Sequence, residues 1–279
     1  MKKKLIKVAV LLTAVSCLCS CNKENVKPQD NPQNQEQNQS ENIWDNEKWT
    51  TNVLLAKNGE DSVRQVKEYG ADGKIVSYKQ YDASGELSSE TTYSYKDLVV
   101  TATTQFLGTY KSTTTAETTY KDASLLYPLT VITKINGVDW LVVRSEYDGN
   151  QLLGVKFYED NTLVAEEKNF QYSKNECTFL YQDYAEESDS YISKTVYADE
   201  KQTVVLEETK FATDGTTELE KTKYEYDEQG RMTSFLYYVD GKLSLEYTDF
   251  QYDGKTCQYK ENKYYNGVCF SSSYRKTFL

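Results

Sequence analysis

Carboxylates and cysteines are the side chains of this 279-residue sequence that could do chemistry, because it contains no histidine. Without an imidazole, Ser-His-Asp and Cys-His catalysis and histidine-ligated zinc are excluded. Two carboxylates could still hydrolyse a glycosidic bond. The sequence nevertheless favours a protein without catalytic residues, and a glycan-acting hydrolase stays an alternative. The adjacent glutamate pairs are predicted to lie on solvated strand or loop surface, with no apolar environment to distinguish them: Glu166-Glu167, Glu186-Glu187 and Glu207-Glu208.

Two short acidic stretches, Asp148 to Asn150 and Glu159 to Asn161, carry oxygen ligands of the kind that calcium prefers. They lack the ligand spacing of an EF-hand and are equally typical of turns. The sequence also lacks a glycine-rich phosphate-binding loop. We therefore expect no metal site and no cofactor.

Two cysteines, Cys177 and Cys257, each follow a tyrosine by five residues, and Val100 occupies the same position after Tyr95. A position that accepts Val or Cys is typical of a small apolar core site, where cysteine is an inert hydrophobe. We expect both cysteines to be buried and unpaired. The alternative is a disulfide, for which Cys257 and Cys269 are the pair close enough along the chain to bridge adjacent strands.

The cysteines belong to a repeat with an offset of 80 residues. FQYSKNECTF from Phe170 matches FQYDGKTCQY from Phe250, and FYEDNTL from Phe157 matches YYVDGKL from Tyr237. A weaker copy begins near Tyr81. Such repeats indicate hairpins that bury a face against their neighbours. The first, second and third copies lie near residues 69–110, 144–184 and 223–267.

Turn signals recur along the whole domain, and the runs between them alternate apolar and polar residues. Asn-Gly and Asp-Gly between such runs are strong hairpin signals, because both central residues of a type I′ turn need positive φ. With 25 tyrosines and no helical periodicity, the sequence predicts an all-β fold. We expect a repetitive antiparallel meander that forms an extended, twisted or curved sheet. The signals are Asp72-Gly73, Ser84-Gly85, Asn136-Gly137, Asp148-Gly149, Asp160-Asn161, Asp214-Gly215, Gln229-Gly230, Asp240-Gly241, Asp253-Gly254 and Asn266-Gly267.

One hairpin resembles a known repeat. The stretch YEYDEQGRMTS from Tyr224 to Ser234 is similar to the YD repeat of rearrangement-hotspot and teneurin-like proteins, whose core is Y-x-Y-D-x-x-G-R-L. Tyr81-Asp82 keeps the YD pair but lacks the arginine. The resemblance implies a β-hairpin of a spiralling sheet, and it carries over no activity because the chain is too short for the closed shell of the large members.

Spacing predicts a β-bulge in copies two and three that copy one lacks. Leu87 and Tyr95 are eight residues apart and would share a face of a regular strand. The corresponding leucine and tyrosine are nine residues apart in the other copies, so one inserted residue would restore the facing. We place the insertions near Lys168-Asn169 and Thr248-Asp249.

The N-terminus has the features of a secretion signal. Four lysines precede an apolar run from Val8 to Leu18, which is too short to span a bilayer. Leu18-Cys19-Ser20-Cys21 resembles the bacterial lipobox, which implies cleavage before Cys21 and a lipid on its sulfur. Because Asn22 and not Asp follows, the resemblance favours the outer membrane, on either its periplasmic or its surface side.

Domain organisation follows from composition. Residues 1–20 are predicted to be a signal peptide, and 21–43, rich in Asn and Gln, a disordered tether with Cys21 as its lipid anchor. Residues 44–279 form the β domain, with Trp44 and Trp49 expected to cap the first strands.

An aromatic contact surface is the positive functional signal. Exposed tyrosines suit a glycan or protein partner, whereas a net charge of −11 argues against nucleic acid. We expect a cell-envelope lipoprotein that acts as a non-enzymatic binding or scaffolding module. A carrier of a lipid or acyl chain on a curved sheet is a further alternative. The candidate contact residues are Tyr224, Tyr226, Tyr237, Tyr238, Tyr264 and Tyr265.

Overall fold

The computed structural model describes residues 51–55, 62–108, 111–200 and 202–278, with side chains from residue 62 onward. The predicted signal peptide, the tether, Cys21, Trp44 and Trp49 lie outside the described residues. Among those described, no helix is long and apolar enough to cross a membrane.

The described chain is all-β, as predicted, apart from one 3₁₀ turn at Glu187–Asp189. The strands are β1 (Thr51–Leu55), β2 (Ser62–Tyr69), β3 (Ile75–Tyr81), β4 (Leu87–Lys96), β5 (Val99–Phe106), β6 (Ser112–Tyr120), β7 (Pro128–Ile135), β8 (Val138–Asp148), β9 (Gln151–Glu159), β10 (Thr162–Tyr172), β11 (Glu176–Asp183), β12 (Tyr191–Tyr197), β13 (Val205–Phe211), β14 (Glu218–Tyr226), β15 (Met232–Val239), β16 (Lys242–Asp253), β17 (Thr256–Tyr265) and β18 (Val268–Phe278).

Each strand pairs antiparallel with the next, which is the meander that the sequence predicts. The sheet then closes, because β1 pairs with both β2 and β18. Thr51 is the partner of Phe278 on one side and of Val66 on the other. Every described strand is therefore paired on both sides over at least part of its length, and on the β1 side of β18 the described pairs cover Tyr274 to Phe278.

Hairpin turns form at the predicted positions. Asn136-Gly137 and Asp160-Asn161 are two-residue loops in which both residues have positive φ, as a type I′ turn requires. At Ser84-Gly85 and Gln229-Gly230 the connection is instead a five-residue loop between strands. There an aspartate accepts backbone N–H bonds; Asp82, for example, accepts from Ser84 at 2.8 Å.

Alternation along the strands gives the sheet two chemically different faces. We name the face that carries Val143, Phe157 and Cys257 the aromatic face, and the opposite one the charged face. The main core cluster of the aromatic face spans β7 to β11 and includes Leu141, Val155, Ala165 and Tyr181. On the charged face, ion pairs join neighbouring strands, as between Lys79 and Glu68 at 3.0 Å.

The predicted bulges are present. The register shifts between Lys168 and Gln171 and between Thr248 and Gln251, whereas β4 and β5 pair without a shift. Asn169 and Asp249 adopt positive φ there, a conformation that Asn and Asp tolerate better than other side chains. The extra residue in copies two and three keeps their repeat tyrosines on the same face as Tyr95 of copy one.

The prediction that the repeat tyrosines share one face is confirmed, and the prediction that the repeat leucines share that face is wrong. Tyr95 pairs with Val100, Tyr172 with Cys177 and Tyr252 with Cys257, all on the aromatic face. A further register shift follows the leucine in every copy, as where Leu87 pairs with Tyr81. It places the leucines on the face opposite to the tyrosines.

Candidate functional site

Tyrosine hydroxyls tie one rim of the ring of strands together. This rim, where odd-numbered strands begin and even-numbered strands end, also holds Thr51 and Phe278, so we name it the terminal rim. Each of five tyrosines near the end of an even strand donates to a carbonyl at the start of the preceding strand. The bonds are Tyr95 to Ile75 (2.9 Å), Tyr147 to Pro128 (3.3 Å), Tyr172 to Leu152 (2.9 Å), Tyr226 to Val205 (3.0 Å) and Tyr252 to Met232 (2.6 Å).

The YD-like stretch is one of these rim hairpins. Asp227 accepts the backbone N–H groups of Gln229 and Arg231, each at 2.9 Å, and holds the Arg231 guanidinium at 2.7 Å. That guanidinium lies over the Tyr252 ring, 4.7 Å from its centroid. Met232, which follows, is buried. The motif residues thus build the loop and its contact with the next strand.

Two aromatic clusters occupy equivalent places in copies two and three. In copy two, Phe170 stacks on Phe179 with ring centroids 4.9 Å apart, and Tyr181 stacks on Tyr191 at 4.8 Å. In copy three, Phe235 stacks on Tyr247 at 4.7 Å. Offset stacking stabilises such pairs beyond their buried area. The first cluster is Phe157, Phe170, Tyr172, Phe179, Tyr181 and Tyr191; the second is Tyr224, Phe235, Tyr247, Phe250, Tyr252 and Tyr259.

Three of the six predicted contact tyrosines share the aromatic face. Tyr224 donates to Glu208 at 2.9 Å, Tyr226 belongs to the rim, and burial raises the pKa of half-buried Tyr237 to about 12. Their hydroxyls or rings are fixed by neighbouring strands, which orders this part of the surface.

The other three predicted tyrosines lie elsewhere. Tyr238 points to the charged face, because it directly follows Tyr237 on β15. Tyr264 donates to Glu246 of the charged face at 2.6 Å. Tyr265 is 73% exposed beside the Asn266-Gly267 turn, at the rim opposite to the terminal rim. The structure therefore divides the predicted set among three surfaces.

Cys177 and Cys257 are buried and unpaired, as predicted. Burial raises the pKa of each thiol to about 11, so neither is a thiolate near neutral pH. The disulfide alternative is wrong for Cys257 and Cys269. Cys257 pairs with Thr277 and Cys269 with Tyr264, which puts the two cysteines near opposite ends of the β17–β18 hairpin.

One glutamate contradicts the expectation of solvated carboxylate pairs. Glu167 is only 5% exposed and points to the aromatic face, between its cross-strand partners Val155 and Tyr181. Burial raises its pKa to about 7. The expectation failed because adjacent strand residues face opposite ways: Glu166 lies on the charged face, bound by Lys168 and the Tyr184 hydroxyl.

The other predicted pairs agree better with a solvated surface. Glu186 and Glu187 are exposed around the 3₁₀ turn. Glu207 lies on the charged face, 3.7 Å from Lys221, and Glu208 is half-buried on the aromatic face. Among the described residues there is no group of three or more side chains that could hold a metal ion.

Copy three contains a second buried carboxylate. Glu261 is 8% exposed on the aromatic face and pairs with Tyr247 across the β16–β17 ladder. The Arg275 guanidinium lies 3.2 Å from its carboxylate, and the Lys263 ammonium 3.4 Å. This carboxylate therefore has two counter-ions inside the chain.

The two copies exchange the same pair of residues. At the offset of 80, Glu167 corresponds to Tyr247, and Tyr181 corresponds to Glu261. Each copy thus places one glutamate opposite one tyrosine, on exchanged strands. This exchange is visible in the aligned sequences of the two copies, because the residues differ at both positions and both positions face the aromatic side.

Comparisons with known proteins give no family. No family model and no curated protein matches the chain. Similar solved structures include a porin-like protein from Bacteroides uniformis ATCC 8492, 13% identical, with a TM-score of 0.44 over 82% of this chain and 95% of that one. A porin-like protein from Bacteroides vulgatus ATCC 8482 is 11% identical, with a TM-score of 0.36 over 68% and 92%.

The Photorhabdus luminescens Tc holotoxin pore is also similar, at 14% identity and a TM-score of 0.30, over 77% of this chain and 13% of the toxin chain. At these scores and identities, the similarities establish neither a shared activity nor membership of a family.

Proposed function

We propose that the protein is a non-enzymatic binding module of the cell envelope, tethered through Cys21, whose ligand lies on the aromatic face. The observation that carries the proposal is the pair of stacked aromatic clusters on this face. Phe157, Tyr181 and Tyr259 are buried, and the other rings of the clusters are half-buried. Because stacking and hydroxyl bonds hold them, the half-buried rings form a contact surface that is ordered before a ligand arrives, which lowers the entropy cost of binding.

The chemistry of this face suits a sugar or a peptide. Both ligands combine apolar patches with hydrogen-bonding groups, and tyrosine offers a flat ring beside a hydroxyl. The net charge of −11 argues against a nucleic acid partner. An acyl-chain carrier is less favoured, since the half-buried rings carry hydroxyl groups along much of the face.

Tyr237 and Tyr238 provide a matched test, because they are neighbours on β15 that point to opposite faces. The full chain and its Tyr237→Thr and Tyr238→Thr variants are compared for binding to an array of envelope oligosaccharides and peptides. We expect Tyr237→Thr to weaken binding at least fivefold and Tyr238→Thr to leave it unchanged. Equal losses, or binding that depends on Tyr238 alone, would contradict the proposal.

The buried Glu167 supports the alternative that the protein is a glycan-acting hydrolase. A buried carboxyl with a pKa of about 7 resembles a general acid. Asp183 lies on the same face, but its carboxylate already accepts the N–H groups of Ala185 and Glu186, each at 2.8 Å. The test is hydrolysis of chromogenic glycosides by the full chain. Hydrolysis that is lost in Glu167→Gln would favour the hydrolase over the binding module.

A further inference from the structure

Glu167 has no hydrogen-bond or ion-pair partner among the residues that the structure describes. Its neighbours across the ladder are Val155, which is fully buried, and Tyr181, which is 7% exposed. Ala165, two residues earlier on the same face, is also buried. A charged carboxylate in such surroundings is costly unless an opposite charge compensates it.

Copy three shows what completes the equivalent arrangement. There the buried Glu261 is matched by Arg275 and Lys263. Tyr259 of copy three corresponds to Phe179 of copy two, and their partners on the next strand are Arg275 and Ser193. Copy two therefore has a serine where copy three has this arginine.

The second cation is also missing from copy two, because Lys263 corresponds to Asp183 at the offset of 80. Copy two therefore keeps the buried carboxylate, loses both cations and adds an acid on the same face.

Another cation on this face does not fill the gap. Lys210, on β13, lies over the Tyr191 ring at 5.1 Å, and its ammonium is held by Glu220 at 2.8 Å. Its charge is therefore already matched.

A metal ion is a poor candidate for the missing charge. Hard cations such as calcium take six or more oxygen ligands, and Glu167 offers a single carboxylate among apolar and aromatic side chains. An alkylammonium or guanidinium group needs one carboxylate and gains from contact with ring faces. Three rings of the first cluster adjoin the site: Tyr181, Phe157 and Tyr191. The ring centroid of Tyr181 lies 6.2 Å from that of Phe157 and 4.8 Å from that of Tyr191.

We propose that the cluster around Glu167 is a binding site for an organic cation, an ammonium or guanidinium group that pairs with the carboxylate while its apolar part contacts Tyr181 and its neighbouring rings. This inference rests on the proposed binding function and names the ligand class for one part of the aromatic face. The ligand supplies from outside the charge that copy three supplies from its own chain.

The test uses propylguanidinium, which reproduces an arginine side chain, and propylurea, its neutral counterpart of similar shape. Binding to the purified full chain is followed by NMR shifts of the Tyr181 ring. We expect propylguanidinium to bind at least tenfold more tightly than propylurea. The preference should vanish in Glu167→Gln and persist in Glu166→Gln, which removes the neighbouring carboxylate on the charged face.

Equal binding of the two probes, or a preference that survives Glu167→Gln, would overturn the inference. Should Glu167→Gln fold poorly, the wild-type chain gives the answer, since affinity for propylguanidinium should rise with pH through about 7 as the carboxyl ionises. If neither probe shifts Tyr181, the cation site is wrong, whereas the binding function is decided separately by Tyr237→Thr on the array.

Discussion

Copies two and three of the repeat share a bulge, a buried cysteine and a tyrosine that donates to a carbonyl of the preceding strand. They differ in how they treat one buried carboxylate. Copy three surrounds Glu261 with Arg275 and Lys263, whereas copy two leaves Glu167 among apolar and aromatic side chains. The two copies therefore share a scaffold, and the presence or absence of cations beside the buried carboxylate distinguishes a structural ion pair in copy three from a candidate binding site in copy two.

Removing the cation from copy three should have the largest effect. Arg275→Ala leaves Glu261 buried with a weaker partner, and breaking a buried pair costs about 3 kcal/mol. Urea denaturation measures the loss. The double variant Glu261→Gln with Arg275→Ala should recover much of it, because no charge is then left unmatched. A single-variant loss below about 1 kcal/mol would show that Arg275 does not stabilise Glu261.

The unmatched carboxylate of copy two should make stability depend on pH. Burial raises the folded-state pKa of Glu167 to about 7 from 4.5, so the folded chain holds this proton more tightly than the unfolded chain. The more tightly held proton contributes roughly 3 kcal/mol to the free energy of unfolding below about pH 4.5, and this contribution is lost as pH rises to about 7.

Glu167→Gln should remove this dependence, and the difference between the wild-type and variant curves isolates it from other carboxylates. Denaturant midpoints at pH 5 and pH 8 provide the measurement. Parallel curves for the two chains would mean that Glu167 is not buried as an acid.

The tyrosine hydroxyls should contribute equally in both copies. Tyr172→Phe and Tyr252→Phe each lose one bond to a carbonyl, of Leu152 and Met232, at a cost of about 1 kcal/mol. Thermal unfolding of each variant tests this. A much larger loss in one copy would show that the shared scaffold is not energetically equivalent.

Substitutions in the bulges should change stability no more than the loss of a tyrosine hydroxyl. Asn169 has φ of 58°, so Asn169→Gly should change stability by less than about 0.5 kcal/mol, whereas Asn169→Ala should cost about 1 kcal/mol. Asp249, with φ of 55°, should behave alike. Chemical denaturation of the four variants compares them, and tolerance of alanine at both sites would argue against strained bulges.

Much of the scaffold could be predicted from the sequence, because it depends on local rules. Turn residues, strand alternation and the nine-residue spacing in the later copies predicted the hairpins and the bulges at Asn169 and Asp249. The match of Val100 to Cys177 predicted the buried cysteines. Such features depend only on neighbours along the chain or on one strand pair.

Ring closure and the burial of Glu167 could not be predicted in the same way. Closure requires β1 to meet β18, a contact between distant parts of the chain without a local signature. Glu167 was interpreted together with Glu166 as solvated, although alternation places adjacent residues on opposite faces. Which face is apolar at that position depends on Val155 and Tyr181, which lie on neighbouring strands.

Titration of the Glu167 side-chain carboxyl by ¹³C NMR in the full chain, with and without propylguanidinium, tests directly whether this carboxylate is buried without a counter-ion and pairs with an external cation. We expect a pKa of about 7 in the free protein and a lower pKa when the cation is bound, since an opposite charge favours the ionised form. A pKa in the ordinary range near 4.5, or one that propylguanidinium leaves unchanged, would contradict this expectation.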